Sequence, residues 1–371
     1  MLSDLGDRRF RIRGETYIRE DLTLKNGRGK NLLCSHWKLE KRKHVKRPCV
    51  VFLHGNAGSR IDVLPYVHGI LSGGMSLFAF DFAGCGKSDG LYITLGFFER
   101  DDVRCVSRYL KRSKSCSNLA IWGHSMGAAT AQMYATMDPF VKCCVIDSPY
   151  CDIVRLCKHH SRRSSLYGHN RLFPSDWFVS QFRHKVFSHV KRLTGADLNK
   201  CKPALYLKHH RIPTLYLCAR KDEIIPNDHV IHLYEKNPCA SKYMIEFDGT
   251  HNQKRPKDVL DRVFSFLCEH LSLQDEDHDD DDNLSDSENI SEIPIWKDPT
   301  AGNRVCKTMF RFLKHDTIRK KNAMAGKTLL QSALTSAKPG SGKLPAHRLT
   351  LGNVEWLELL EEKKKKARLI S

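Results

Sequence analysis

Between Pro48 and Phe247 the chain alternates short apolar runs with longer amphipathic stretches. Pro48–His54, Ser76–Phe82, Asn118–Trp122, Val141–Ile146, Thr214–Cys218 and Lys242–Phe247 read as buried strands. Runs apolar on both faces suit a parallel sheet, which is covered on both sides. The stretches between them, Phe97–Lys111, Met126–Met137 and Asn227–Glu235, read as crossover helices, the first with Phe98, Val103, Val106 and Leu110 as its apolar stripe. Upstream, Tyr17–Lys25 and Asn31–Leu39, joined through Asn26-Gly27-Arg28-Gly29, read as an antiparallel hairpin. This order predicts an α/β class domain: a mixed, mostly parallel central sheet with helices on both faces.

Charge sets the domain limits. Residues 1–274 hold 44 Lys and Arg against 26 Asp and Glu, residues 275–292 hold none against 10, and residues 293–371 hold 17 against 6. Like charges as dense as Asp275 to Asp282 repel and have no apolar surface to offset the entropy of ordering. The expected organisation is therefore a globular domain over 1–273, an acidic linker over 274–292 and a basic tail over 293–371, mostly disordered with short helices. In that tail Val305, Met309, Phe312 and Leu313 lie among basic residues, and Val354–Leu360 precedes Lys363-Lys364-Lys365-Lys366. The longest uncharged apolar stretch, Leu64–Phe80, is broken by Pro65, His68 and three glycines, short of the roughly 20 apolar residues of a membrane span. The start Met1-Leu2-Ser3-Asp4 carries no apolar leader, which points to the cytoplasm. The fourteen cysteines form no C-x-x-C pair, as expected of reduced thiols without a zinc framework.

The chemistry concentrates at strand ends. Gly123-His124-Ser125-Met126-Gly127 is a G-x-S-x-G placed between a strand ending at Trp122 and a helix opening at Met126. Small residues two positions either side of the serine let strand and helix approach across a sharp turn, and the helix N-terminus offers amides to a developing anion. His54-Gly55-Asn56-Ala57-Gly58 ends another strand with a turn able to aim a second backbone N–H at the same point. The expected oxyanion donors are the Met126 and Asn56 amides, with Ala57 left open in place of Asn56.

A serine hydroxyl attacks only when a base accepts its proton and an acid orients that base. Among nineteen histidines, His251 follows the last strand and precedes the final helix, at the sheet edge that holds Ser125. Asp222, after the strand Thr214–Cys218, is the expected acid, chosen over Glu223; Asp147, after Val141–Ile146, stays open as a rival. Asp248 lies too near His251 in sequence.

With these residues in hand, the chain resembles the α/β-hydrolase fold, in the serine-aminopeptidase-like group that also contains acylglycerol lipases and depalmitoylating thioesterases. The resemblance rests on His54–Gly58, Asp81–Gly90, Gly123–Gly127, Asp147-Ser148-Pro149, Asp222 and His251, and covers about residues 10–271. It implies Ser125 as nucleophile, Asp222 as triad acid, His251 as general base, and Asn56 and Met126 as oxyanion donors, with no metal or organic cofactor. It also implies a lid between Ser148 and Arg211. Here that insert, about 152–211, is short and basic, with 13 Lys and Arg against 3 acidic residues over Asp152–Arg211. Val179, Phe182, Val186, Val190 and Leu193 fall at helical spacing, with Phe178 and Phe187 widening the stripe to line an acyl pocket or to pack on the sheet domain.

Other patterns fail. Gly84-Cys85-Gly86-Lys87-Ser88 lacks the leading glycine of a phosphate-binding loop, having Asp81 in its place, and the adjacent pairs His159-His160 and His209-His210 diverge too far to share a metal. The expected activity is hydrolysis of an ester or thioester, less readily an amide, through an acyl-enzyme on Ser125. The competing expectation is a catalytically idle scaffold that binds an anionic partner. The expected partners are a small-molecule or lipid acyl substrate and, through the basic lid and tail, a peripheral membrane surface or an acidic protein; no specific nucleic acid is expected.

Overall fold

A computed structural model describes residues 5–40, 46–113, 115–167 and 176–271. The linker and tail readings therefore lie outside the described residues.

Among the described residues nine strands form one sheet in the order β1-β2-β3-β5-β4-β6-β7-β8-β9. β1 (Arg9–Ile12), β2 (Glu15–Lys25) and β3 (Asn31–Leu39) form an antiparallel meander, and β3 joins β5 (Ser76–Phe80) antiparallel. From β5 onward, β4 (Arg47–Leu53), β6 (Cys116–His124), β7 (Val141–Asp147), β8 (Thr214–Ala219) and β9 (Lys242–Phe247) run parallel. Alternation sorts each parallel strand between two cores: Val51, Leu53, Ile121, Ile146 and Tyr216 face one side, and Val50, Phe52, Trp122, Val145 and Leu217 the other. On the first side pack α2 (Glu99–Arg112), α3 (Met126–Ala135) and α6 (Asn227–Lys236); on the second pack α1 (Val67–Ser72) and α7 (Lys257–His270).

The chain leaves β4 toward β5 and then returns past β4 to β6, so the strand order reverses at β4. Such a reversal opens a crevice beyond the carboxyl ends of the strands, the usual ligand position in an open α/β sheet. The insert between β7 and β8 supplies α4 (Ile153–Tyr167) and α5 (Asp176–Thr194). Phe187 and Val190 of α5 pack with Tyr150, Ile153 and Ala129, so this part of the expected stripe covers the domain. Leu193 departs from the stripe at 46% exposed, and the side chains of Phe178, Val179 and Phe182 lie outside the described set.

At β1 and at the end of β5 the structure departs from the sequence reading for identifiable reasons. β1 escapes periodicity because Arg9-Phe10-Arg11-Ile12 offers just two apolar residues on a short edge strand. β5 stops at Phe80 because the next groups serve the turn: the Asp81 carboxylate accepts the Arg60 and Lys87 N–H groups at 2.7 and 2.8 Å, and the Phe82 N–H donates to His54 Nε2 at 3.1 Å. The Lys87 amide of the glycine-rich turn is thus committed to a carboxylate, in keeping with the rejected phosphate loop.

Candidate active site

Ser125 sits between β6 and α3 with φ +56° and ψ −116°, a backbone conformation unfavourable for a residue with a Cβ. Its N–H donates to the Asp147 carbonyl at 2.8 Å, and its carbonyl accepts from Ala129 at 3.0 Å, opening the helix. A Cβ on Gly123 would lie 2.3 Å from the Gly127 carbonyl oxygen, and one on Gly127 would lie 2.1 Å from that of Leu53. Both glycines are required by close approach of backbone to backbone.

The loop after β9 brings His251 over this turn. His251 Nε2 lies 2.9 Å from Ser125 Oγ, and Nδ1 lies 2.7 Å from Asp222 Oδ2. The other carboxylate oxygen of Asp222 accepts the Ile224 and Ile225 N–H groups at 2.9 and 2.7 Å, which fixes the carboxylate plane. Burial pushes the Asp222 carboxyl up, but the His251 hydrogen bond and charge, with the two amides, outweigh it and hold the carboxyl below the usual range. A carboxylate there keeps the proton of His251 on Nδ1 and leaves Nε2 free to accept one from the serine. Ser125 is 8% exposed and His251 2%, so the relay is screened from bulk water.

The structure brings Ser125, His251 and Asp222 together and sends the rival Asp147 elsewhere, into a two-point ion pair with Arg255 at 2.7 and 2.8 Å. Glu223 accepts the His251 backbone N–H at 3.2 Å, and Asp248 pairs with Lys221 at 2.8 Å.

Of the two expected anion donors, Met126 directly follows the serine and Asn56 follows Gly55 in the loop after β4. Met126 opens α3, so its N–H has no intrahelical acceptor. The loop after β4 crosses directly over the turn: a Cβ on Gly55 would lie 3.5 Å from that of Ser125. Asn56 follows, and its side-chain Oδ1 is buried without a protein partner among the described residues. His54 stabilises this crossing, its Nδ1–H donating to the Gly55 carbonyl at 2.7 Å while Nε2 accepts Phe82 N–H. Burial lowers its pKa and keeps the ring neutral.

Two participants escaped the sequence reading. His124, inside the pentapeptide, donates from Nε2 to the His251 carbonyl at 3.1 Å, and burial pushes its pKa down to about 4, so the ring is neutral near pH 7. Arg255 is 3% exposed and also donates to the His251 carbonyl, at 3.1 Å. Nothing in Lys254-Arg255-Pro256 separates it from a surface arginine; the position of His124 beside the serine was the available signal for that residue. Among the described residues no cluster of three or more His, Cys, Asp or Glu side chains is arranged to hold a metal ion, and no helix is long and apolar enough to cross a membrane.

Residues 44–189 match the family described as "Serine aminopeptidase, S33". The chain is 24% identical to protein bem46 of Schizosaccharomyces pombe over 65% of its own length and 74% of that protein. It is 29% identical to the lysophosphatidylserine lipase ABHD12 of Rattus norvegicus over 54% of its own length and 47% of the relative. It covers 64% of the uncharacterized protein YqkD of Bacillus subtilis, at 25% identity, so it spans about half to two thirds of these last two relatives. In structure it resembles the Pyrococcus furiosus esterase Pf2001, with TM-score 0.53 and 22% identity over 69% of this chain and 94% of that one. It also resembles Est1E of Butyrivibrio proteoclasticus, solved with ferulic acid, with TM-score 0.53 and 17% identity over 68% and 99%. At these identities the structural likeness establishes the fold.

Proposed function

We propose that this chain, whose fold is that of the α/β hydrolases, is a serine hydrolase that cleaves acyl esters or thioesters through an acyl-enzyme on Ser125. The observation that carries the reading is the continuous chain of hydrogen-bond distances from Ser125 Oγ through His251 to Asp222.

In this mechanism His251 Nε2 takes the Ser125 proton as Oγ bonds to the substrate carbonyl carbon. The carbonyl oxygen becomes an anion, held by the Met126 and Asn56 N–H groups. Asp222 accepts a hydrogen bond from Nδ1–H and stabilises the imidazolium without taking its proton. His251 then passes the proton to the leaving oxygen or sulfur, and the carbonyl re-forms as the acyl-enzyme. Water, deprotonated by the same nitrogen, attacks the acyl carbon, and Ser125 leaves with the proton returned to it.

Within this class we favour acyl esters that carry an anionic head group. Arg155, Lys158, Lys185, Lys191 and Arg192 are exposed on α4 and α5 of the insert, and one relative is a lipase of an anionic lysophospholipid. The same cations suit peripheral contact with an anionic membrane.

The test is turnover of a panel: p-nitrophenyl esters, acyl thioesters, aminoacyl anilides, and lysophosphatidylserine beside lysophosphatidylcholine. Ester or thioester turnover that disappears in Ser125→Ala is expected, with the serine lipid preferred. Cleavage of anilides alone would overturn the ester reading, and a folded protein idle on every substrate would favour a binding scaffold.

A further inference from the structure

Asp147 is used at both its ends. Its main-chain carbonyl holds the Ser125 N–H at 2.8 Å, while its carboxylate takes two hydrogen bonds from the Arg255 guanidinium. The same Nη2 that meets Asp147 also donates to the His251 carbonyl at 3.1 Å, and Nη1 donates to the carbonyls of Gln253 and Thr250 at 2.7 and 3.4 Å. From the serine side, His124 Nε2 reaches the same His251 carbonyl at 3.1 Å, its ring centroid 4.9 Å from that of His251. β7 and β9 are not neighbours, since β8 lies between them. Arg255 therefore bridges across an intervening strand, from the end of β7 to the loop that carries the base.

An ion pair this deeply buried, with side chains 2% and 1% exposed, calls for an account other than stability. Desolvating two charges consumes most of their attraction, and apolar side chains of similar volume commonly fill such a place as well or better. What they cannot do is aim one rigid fork at a carboxylate and at three carbonyls of a single loop.

We propose that Asp147 and Arg255, with His124, are positioning residues: they lock the loop carrying His251 to the backbone of Ser125 and so set the separation between serine and base. This rests on the serine-hydrolase reading above. It does not touch substrate; it acts through the geometry of His251, where displacements of an ångström carry large rate penalties.

The test compares Asp147→Asn, Arg255→Gln and the apolar double variant Asp147→Leu/Arg255→Met with wild type. Its readouts are kcat and KM on a short-chain p-nitrophenyl ester, the second-order rate of labelling by a fluorophosphonate, and Tm. Each single variant is expected to lose about 10- to 100-fold in kcat and in labelling rate with KM little changed, and to melt earlier because one buried charge has lost its partner. The double variant is expected to recover Tm but not kcat. A double variant that regains kcat with Tm would reduce the pair to a structural role and overturn the inference, as would a single variant of wild-type kcat. Should the singles fail to fold, the double decides by the same criterion. A wild type that neither turns over nor labels would instead defeat the serine reading, and this inference with it.

Discussion

Asp147 and Asp222 leave adjacent parallel strands at one edge of the sheet, and each carboxylate is 1% exposed, yet one meets a guanidinium and the other an imidazole. The guanidinium of Arg255 is held above even its ordinary pKa: burial works against the charge, but Asp147 outweighs it. On the account above, that guanidinium keeps its charge and acts as a fixed brace. The imidazole of His251 sits between a carboxylate and a hydroxyl, where a proton can move from Oγ to Nε2. On the proposed mechanism the same residue type, buried alike, would serve geometry in one place and proton transfer in the other, and the partner decides which.

The largest expected effects strike the moving proton. Ser125→Ala or His251→Ala should lower kcat on the order of 10⁶-fold, and Asp222→Asn about 10⁴-fold through loss of the correct imidazole tautomer, measured on the best ester of the panel. The brace should matter less: Asp147→Asn should fall about 100-fold short of the Asp222→Asn loss. Equal losses at the two aspartates would erase the distinction drawn between them.

A smaller effect, on stability, probes the turn both aspartates serve. Gly127→Ala drives a Cβ to 2.1 Å from the Leu53 carbonyl oxygen and 2.7 Å from that of His54, so backbone must move. The variant should lose roughly 3 kcal/mol or more of stability in a denaturant titration, within the tail of single substitutions that strain a special backbone site.

The mildest effect is acid sensitivity. Burial pushes the pKa values of His124, His210 and His229 down to about 4, from an ordinary 6.5. The unfolded chain therefore takes up these protons first, so their contribution is intact above about pH 6.5 and is lost between there and about pH 4. Asp222, with its carboxyl held low, begins to lose its contribution only nearer its unfolded value of 3.8. Tm should thus decline between pH 7 and pH 5, and a flat profile there would contradict neutral, buried histidines.

Strand rhythm made the parallel half of the sheet legible, because Val, Ile, Leu and Phe fill both faces of β4 to β8. The pentapeptide located Ser125, and the order along the chain brought forward Asp222 and His251, since βα loops of a parallel sheet collect at one edge. Sequence order placed Asp222 ahead of Asp147 but left Asp147 open as a rival; what separates them is which loop arches over which strand end. Arg255 was invisible for the same reason, because its partners lie on β7 and in its own loop, distances that spacing does not encode. β1 was missed because its two apolar residues pack beside arginines on an edge.

The most direct test of the account is fluorophosphonate labelling of the intact protein, followed by peptide mapping and repeated on Ser125→Ala and Asp222→Asn. The account predicts a single adduct on Ser125 in wild type, none in Ser125→Ala, and a greatly slowed reaction in Asp222→Asn. An adduct on another residue, or a folded wild type that takes none, would contradict it.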